Sequence, residues 1–138
     1  MTLLDAGPAV ALFDPSEVDH ERCLDALGRL SGPLVTTWPV VTEAMYLLGR
    51  GRGWAGQKSL WELIVRKGVD IRIPADAEPS RTAVLMEKYA DLPMDLADAS
   101  LVALAEKIGS TSVFTLDDDF LVYRLPKGKR FKCIPAPA

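Results

Sequence analysis

Short apolar runs separated by longer helix-patterned segments recur along this chain, and that alternation restricts its fold more than any other feature. Residues 2–4, 34–37, 69–73 and 112–116 each read as a short strand, and 131–134 as a fifth at the edge. Between them lie helical patterns over 9–13, 16–30, 39 to 50, 54–66, 78–90 and 96–108. Strands separated by helices pair in parallel through right-handed crossovers. The expectation is an α/β fold, a three-layer α/β/α sandwich with a mostly parallel central sheet of four to five strands.

The punctuation fits that reading. Asp5-Ala6-Gly7-Pro8 reads as a turn after the first strand. Ser16 with Asp19 resembles a capping box for a helix carrying Cys23, Leu24, Leu27 and Leu30 on one face. Pro39 suits the first turn of the next helix, Gly49, Gly51 and Gly53 mark a turn between two helices, and Gly109 supplies a left-handed C-cap.

A chain of 138 residues that is 49% hydrophobic and 25% charged can build one packed core, so residues 1–138 read as a single domain. The longest uncharged run, residues 30–42, is broken by Ser, Gly and two Pro, too short and too polar for a bilayer span. Asp5 leaves no room for a basic and then apolar leader, and Cys23 and Cys133 stand 110 positions apart with no CxxC, so reduced thiols and a cytoplasmic setting are expected. His20 is the sole histidine, which excludes a His-rich metal site and a two-His acid/base pair.

Chemistry therefore falls to carboxylates. Ligands of open parallel sheets gather beyond the carboxyl ends of the strands. Asp5 ends the first strand and Asp117 the fourth, so the two converge if those strands are neighbours. At about 100° per residue, Asp98 shares its helix face with Leu101, Val102 and Ala105, a core-facing position that is costly for a carboxylate. The plainer reading makes Asp98 the partner of Asp95 in a capping box. Glu43 lies similarly among Pro39, Val40, Tyr46 and Leu47, its plainer reading being a boundary residue paired with Arg50. Four acids facing one crevice need a counter-charge, and Mg²⁺ or Mn²⁺ with oxygen ligands supplies it; such ions serve phosphodiester hydrolysis.

The succession of Asp5, Glu43 in TTWPVVTEA, Asp98 in DLADASLVALAE and Asp117 in VFTLDDDF resembles the PIN domain, in particular the VapC-type toxin ribonucleases of toxin–antitoxin pairs. The resemblance spans essentially the whole chain. It implies a quartet of Asp5, Glu43, Asp98 and Asp117 holding Mg²⁺ or Mn²⁺, and endonucleolytic hydrolysis of RNA by metal-activated water. Asp95 and Asp119 are accessory candidates, and Thr115 a hydroxyl that orients a carboxylate or a metal-bound water. The run Asp117-Asp118-Asp119 leaves the register of the fourth ligand open, with Asp118 read as solvated. Many members place Ser or Thr after the first Asp, where Ala6 stands here.

The net charge of −3 argues on its face against a nucleic-acid partner. Yet five basic residues and no acidic ones follow Asp119, so the segment 120–138 is a basic flank. Arg124, Lys127, Lys129 and Arg130 are candidate phosphate contacts, or else guards of an edge strand. Arg50 and Arg52 are a second candidate set, or ordinary charges at a helix C-terminus. Trp54, Trp61, Tyr46, Leu47 and Leu48 could form a groove for a VapB-type antitoxin or a second subunit of a homodimer, or pack the core. Two further readings compete: a catalytically silent PIN-like module that binds RNA or protein, and a phosphatase or phospho-receiver, which would want a DxD where Asp5-Ala6-Gly7 stands.

Overall fold

The strands are short because the central ones are wholly interior. In the computed structural model, which describes every residue except Ala75, Ala77 and Ala138, all of β1 (Thr2–Leu4) and β2 (Leu34–Thr37) is buried. They are followed by β3 (Val69–Arg72), β4 (Ser112–Phe114) and β5 (Lys132–Ile134). The helices are α1 (Ala6–Phe13), α2 (His20–Arg29), α3 (Trp38–Val65), α4 (Glu78–Lys88) and α5 (Leu96–Ile108).

The sheet order is β3-β2-β1-β4-β5, and every pair is parallel. Leu3 pairs with Val35 on one side and Val113 on the other, so β1 is central and adjoins β4. Chain order reverses between β1 and β4, which opens a crevice at their carboxyl ends. Right-handed crossovers put α1 to α3 on one face and α4 with α5 on the other, consistent with α1 packing on α2 and α3, and α4 on α5. The core between these layers is aliphatic, with Leu3, Val35, Leu48, Leu60, Leu85, Leu101, Val102 and Val113 fully buried.

The helix starts depart from the expected ones in two places. α1 begins at Ala6, not Ala9, because the Asp5 side chain accepts the Ala6 N–H at 2.8 Å and caps it. Pro8 sits in the first turn, where an N–H has no helical partner to lose. The expected Ser16/Asp19 capping box does not form. Ser16 donates through both its N–H and its hydroxyl to Asp14 Oδ1, at 3.0 and 2.6 Å, and Asp19 caps α2 without a side-chain bond. α2 buries Cys23 and Ala26, while Leu24 and Leu27 stay exposed, so the apolar face is rotated from the one expected.

The glycine-rich turn contracts to one residue. α3 runs on through Gly49 and Gly51 and breaks only at Gly53, where φ is 61° and ψ −151°. That conformation is nearly closed to residues with a Cβ. Gln57, beyond the kink, donates to the Met45 carbonyl at 3.0 Å and ties the two arms together. Gly109 takes the left-handed C-cap of α5 with φ 70°. Replacement of Gly53 by Ala is expected to lower stability by about 1–3 kcal/mol, read as a reduced urea midpoint at unchanged m value; an unchanged midpoint would show that the kink carries no strain.

Candidate metal centre

Asp5, Glu43, Asp95, Asp98, Asp117 and Asp118 line one cavity at the β1/β4 crevice, with Ala6, Gly7, Leu47 and Leu116 as its walls. Four local structures deliver them. β1 ends at Leu4, so Asp5 stands at the N-terminus of α1. Glu43 comes from the second turn of α3, Asp95 and Asp98 from the start of α5, and Asp117 and Asp118 from the turn after β4. Carboxylate oxygens of Asp98, Asp117 and Asp119 lie within 4.8 Å of one another.

The orientation of Asp5 and Asp117 is set by a short chain of hydrogen bonds. Thr115 donates its hydroxyl to Asp5 Oδ2 at 2.7 Å and accepts the Asp117 N–H at 3.0 Å. Asp119 donates its N–H to Asp117 Oδ1 at 2.9 Å. The hydroxyl that Ala6 lacks thus reaches Asp5 from the end of β4.

Both readings of Asp98 apply in part. Asp95 caps α5 by accepting the Asp98 N–H at 2.8 Å. The Asp98 side chain completes no capping box: it is 5% exposed, on the buried face with Leu101 and Val102, and accepts the Tyr123 hydroxyl at 2.7 Å. Tyr123 is absent from the sequence-based candidates, and no local pattern announces it, because it lies 25 positions from Asp98. Gly7 was likewise missed. A Cβ there would stand 3.3 Å from the Leu116 side chain, so a small residue keeps this wall of the cavity open.

Burial and mutual repulsion shape the electrostatics. Burial pushes the Asp98 carboxyl up to about 8, Asp5 adding to the rise, while the Tyr123 hydrogen bond opposes it. Asp5 rises to about 6, chiefly through burial, with the Thr115 and Ala6 hydrogen bonds opposing. Burial also raises Glu43, helped by Asp95 and Asp117, and Asp119 rises through burial and its neighbours Asp117 and Asp118. Among the described residues the ion pairs involve Asp19, Asp25, Asp70, Glu78 and Glu106, none of them in this cluster. Crowded oxygen donors without a basic partner fit a hard divalent cation.

Two of the basic candidates lie elsewhere. Lys127 and Lys129 line a separate cavity with Glu106, Gly109, Ser110 and Thr111, at the far end of α5. Ten residues of helix separate Asp98 from Ile108, or about 15 Å. The chain after Asp119 runs back along the sheet, with Arg124 bridged to Arg130 and Lys132 N–H bonded to the Thr111 carbonyl, before β5 starts beside Ser112. The Arg124 guanidinium donates to the carbonyls of Leu121, Val122 and Tyr123 and so serves its own turn. Arg50 makes no ion pair with Glu43; its guanidinium lies 5.8 Å from the Tyr46 ring centre. Arg52 is near enough to Asp14 to help hold that carboxyl low, behind the stronger effect of the Ser16 hydrogen bonds. His20 lies apart from the cavity, Nδ1 2.6 Å from the Ala11 carbonyl.

The raised carboxyls set the sign of a pH dependence. A group that binds its proton more tightly when folded contributes stability that is full below its unfolded value, near 4, and is lost as pH rises through the folded value. Asp5 loses its share by about pH 6 and Asp98 by about pH 8. In EDTA the Tm is expected to fall between pH 5 and pH 8, and Mg²⁺ or Mn²⁺ to raise it more at pH 8, by on the order of 5 °C. Equal metal effects at both pH values would contradict this account.

Residues 2–125 match the PIN domain family. The chain is 28% identical to Ribonuclease VapC26 of Mycobacterium tuberculosis over 134 residues, covering 96% of this chain and 99% of that protein. The crystal structure of Mycobacterium tuberculosis VapC20, described as a sarcin–ricin loop cleaving toxin, superposes with a TM-score of 0.79 at 18% identity, covering 86% of this chain and 92% of that one. A toxin–antitoxin complex from Klebsiella pneumoniae superposes with a TM-score of 0.63 at 15% identity, covering 86% and 88%. With the acidic crevice at the reversal point of an all-parallel sheet, the match over most of its length makes this chain a member of the PIN domain family.

Proposed function

We propose that this protein is a Mg²⁺- or Mn²⁺-dependent endoribonuclease that hydrolyses RNA phosphodiester bonds, the toxin of a VapBC-type toxin–antitoxin pair, with residues 1–138 acting as one unit. The observation that carries the reading is the cavity lined by Asp5, Glu43, Asp95, Asp98, Asp117 and Asp118 with no basic side chain among its walls. Similarity to Ribonuclease VapC26 over nearly the whole chain supports it.

A divalent cation bound there supplies Lewis acidity toward water and phosphodiester, and the positive charge that lets the acids ionise together. Asp5, Glu43, Asp98 and Asp117 are the proposed ligands, with Asp95 and Asp119 as accessory carboxylates. Thr115 and the Ala6 N–H hold Asp5 against rotation, and the Asp119 N–H does the same for Asp117. Leu47 and Leu116 wall the cavity and lower its polarity, which strengthens attraction between charge and substrate phosphate. Arg50, two helical turns beyond Glu43 on α3, and Arg52, Arg124 and Arg130 are proposed phosphate contacts, with Lys127 and Lys129 farther along any RNA that reaches them.

The partners are RNA, a VapB-type antitoxin and a second copy of the chain. Apolar side chains left exposed on α3, with Trp54 at 64% and Tyr46 at 62%, support a protein partner on that helix, whereas Leu48 is fully buried and packs the core. No helix of the described residues is long and apolar enough to cross a membrane.

The test is cleavage of single-stranded RNA by purified protein. Activity is expected with Mg²⁺ or Mn²⁺ and not in EDTA, and Asp5→Asn or Asp98→Asn is expected to cut the rate at least ~100-fold. Both variants should keep the fold, because burial already favours the uncharged carboxyl at these two positions. Undiminished cleavage in both would refute the assignment. Calorimetry showing no metal binding at millimolar concentration would favour the silent module instead.

A further inference from the structure

The Tyr123 ring is fully buried, and its hydroxyl donates to Asp98 Oδ2 at 2.7 Å. A buried phenol with a carboxylate acceptor is a fixed contact, since the phenol, fully shut off from solvent, has no water as an alternative. The ring itself is held on two sides: Tyr89 and Phe120 meet it edge to face, each at 5.1 Å between ring centres. Phe131 continues the row at 5.5 Å from Phe120. The Tyr89 hydroxyl accepts the Arg124 N–H at 3.0 Å, which pins the backbone directly after Tyr123. The same turn carries Asp117 and Asp119, because Tyr123 N–H bonds to the Asp119 carbonyl at 3.1 Å. One rigid aromatic block therefore touches α5 through Asp98 and the β4–β5 connection through Asp119.

We propose that Tyr123 is a positioning residue of the metal centre: its hydroxyl occupies one oxygen of Asp98, leaves the other for the cation, and sets the distance between Asp98 and the Asp117–Asp119 turn. The proposal rests on the reading of the carboxylate cluster as a divalent metal site. Tyr123 touches no substrate and acts only through Asp98. Groups behind a metal ligand typically tune affinity by 10–100-fold.

The experiment compares Mn²⁺ binding by calorimetry in the wild-type chain, Tyr123→Phe and Tyr89→Phe. Each variant loses one hydrogen-bonded phenol oxygen and keeps the ring, but only Tyr123→Phe removes a bond to Asp98. Tyr123→Phe is expected to weaken Mn²⁺ binding roughly 10-fold or more, and Tyr89→Phe, which loses the pin behind Tyr123 but no bond to Asp98, to weaken it by a clearly smaller factor; equal weakening by both would overturn the proposal. In RNA cleavage, the Mn²⁺ concentration for half-maximal rate should rise with the same factor in Tyr123→Phe, while the rate at saturating Mn²⁺ changes less. Wild-type binding with unchanged affinity in Tyr123→Phe overturns this proposal alone. No binding by the wild type overturns the metal site and the proposal together. A readout independent of variant folding uses fluorotyrosine in the otherwise wild-type chain, whose three tyrosines give three ¹⁹F signals. The Tyr123 signal is expected to move with Mg²⁺ at the binding midpoint while exposed Tyr46 stays put, and a motionless Tyr123 signal would overturn the proposal.

Discussion

The pairing of β1 with β4 is the interaction on which the rest of this structure depends. It makes β1 the point where chain order reverses, so the two strands end side by side with no crossover between them to fill the space. Asp5 and Asp117 then stand next to each other, and Thr115 can bridge them through one hydroxyl. Had β4 joined the sheet beyond β3, two strands would lie between the same residues and separate them by three strand spacings, about 14 Å.

Crowding acids at that point carries a cost that the surroundings partly offset and partly exploit. Asp98 sits on the buried face of α5, where an aliphatic residue would serve packing better, and the Tyr123 hydroxyl meets one of its oxygens. Neither that bond nor those to Asp5 bring in a positive charge. The cavity is consequently a place where protons bind more tightly than they do at ordinary surface carboxylates. The raised carboxyls and the pH-sensitive stability that follows from them come first from burial and then from repulsion among these acids.

Much of the fold was legible because its signals are local. Strand positions follow from apolar runs, Gly109 from the left-handed C-cap, and the core-facing position of Asp98 from helical spacing. The errors are instructive. The capping box at Ser16 failed because Asp14, a closer acceptor, takes both Ser16 donors. The start of α1 was placed three residues late because Gly7-Pro8 looks like a breaker unless Asp5 is recognised as the cap. The glycine series on α3 overstated the turn, since only Gly53 takes a conformation that other residues resist.

The order of residues was enough to determine the parallel α/β architecture and the acids at the strand ends, because strand and helix periodicities tell which side chains face inward before any contact is made. The tertiary structure alone decided which of those acids share a cavity, that Tyr123 supports Asp98, and that Lys127 and Lys129 face the opposite end of the molecule. The reason is the β4–β5 connection. Parallel pairing requires the chain to return to the starting edge of the sheet before β5 can begin, so Lys127 and Lys129, eight and ten positions after Asp119, are carried away from it in space. Proximity along the chain suggests a basic flank to the acidic cluster, and the geometry of a parallel sheet carries Lys127 and Lys129 of that flank to the other end of the sheet.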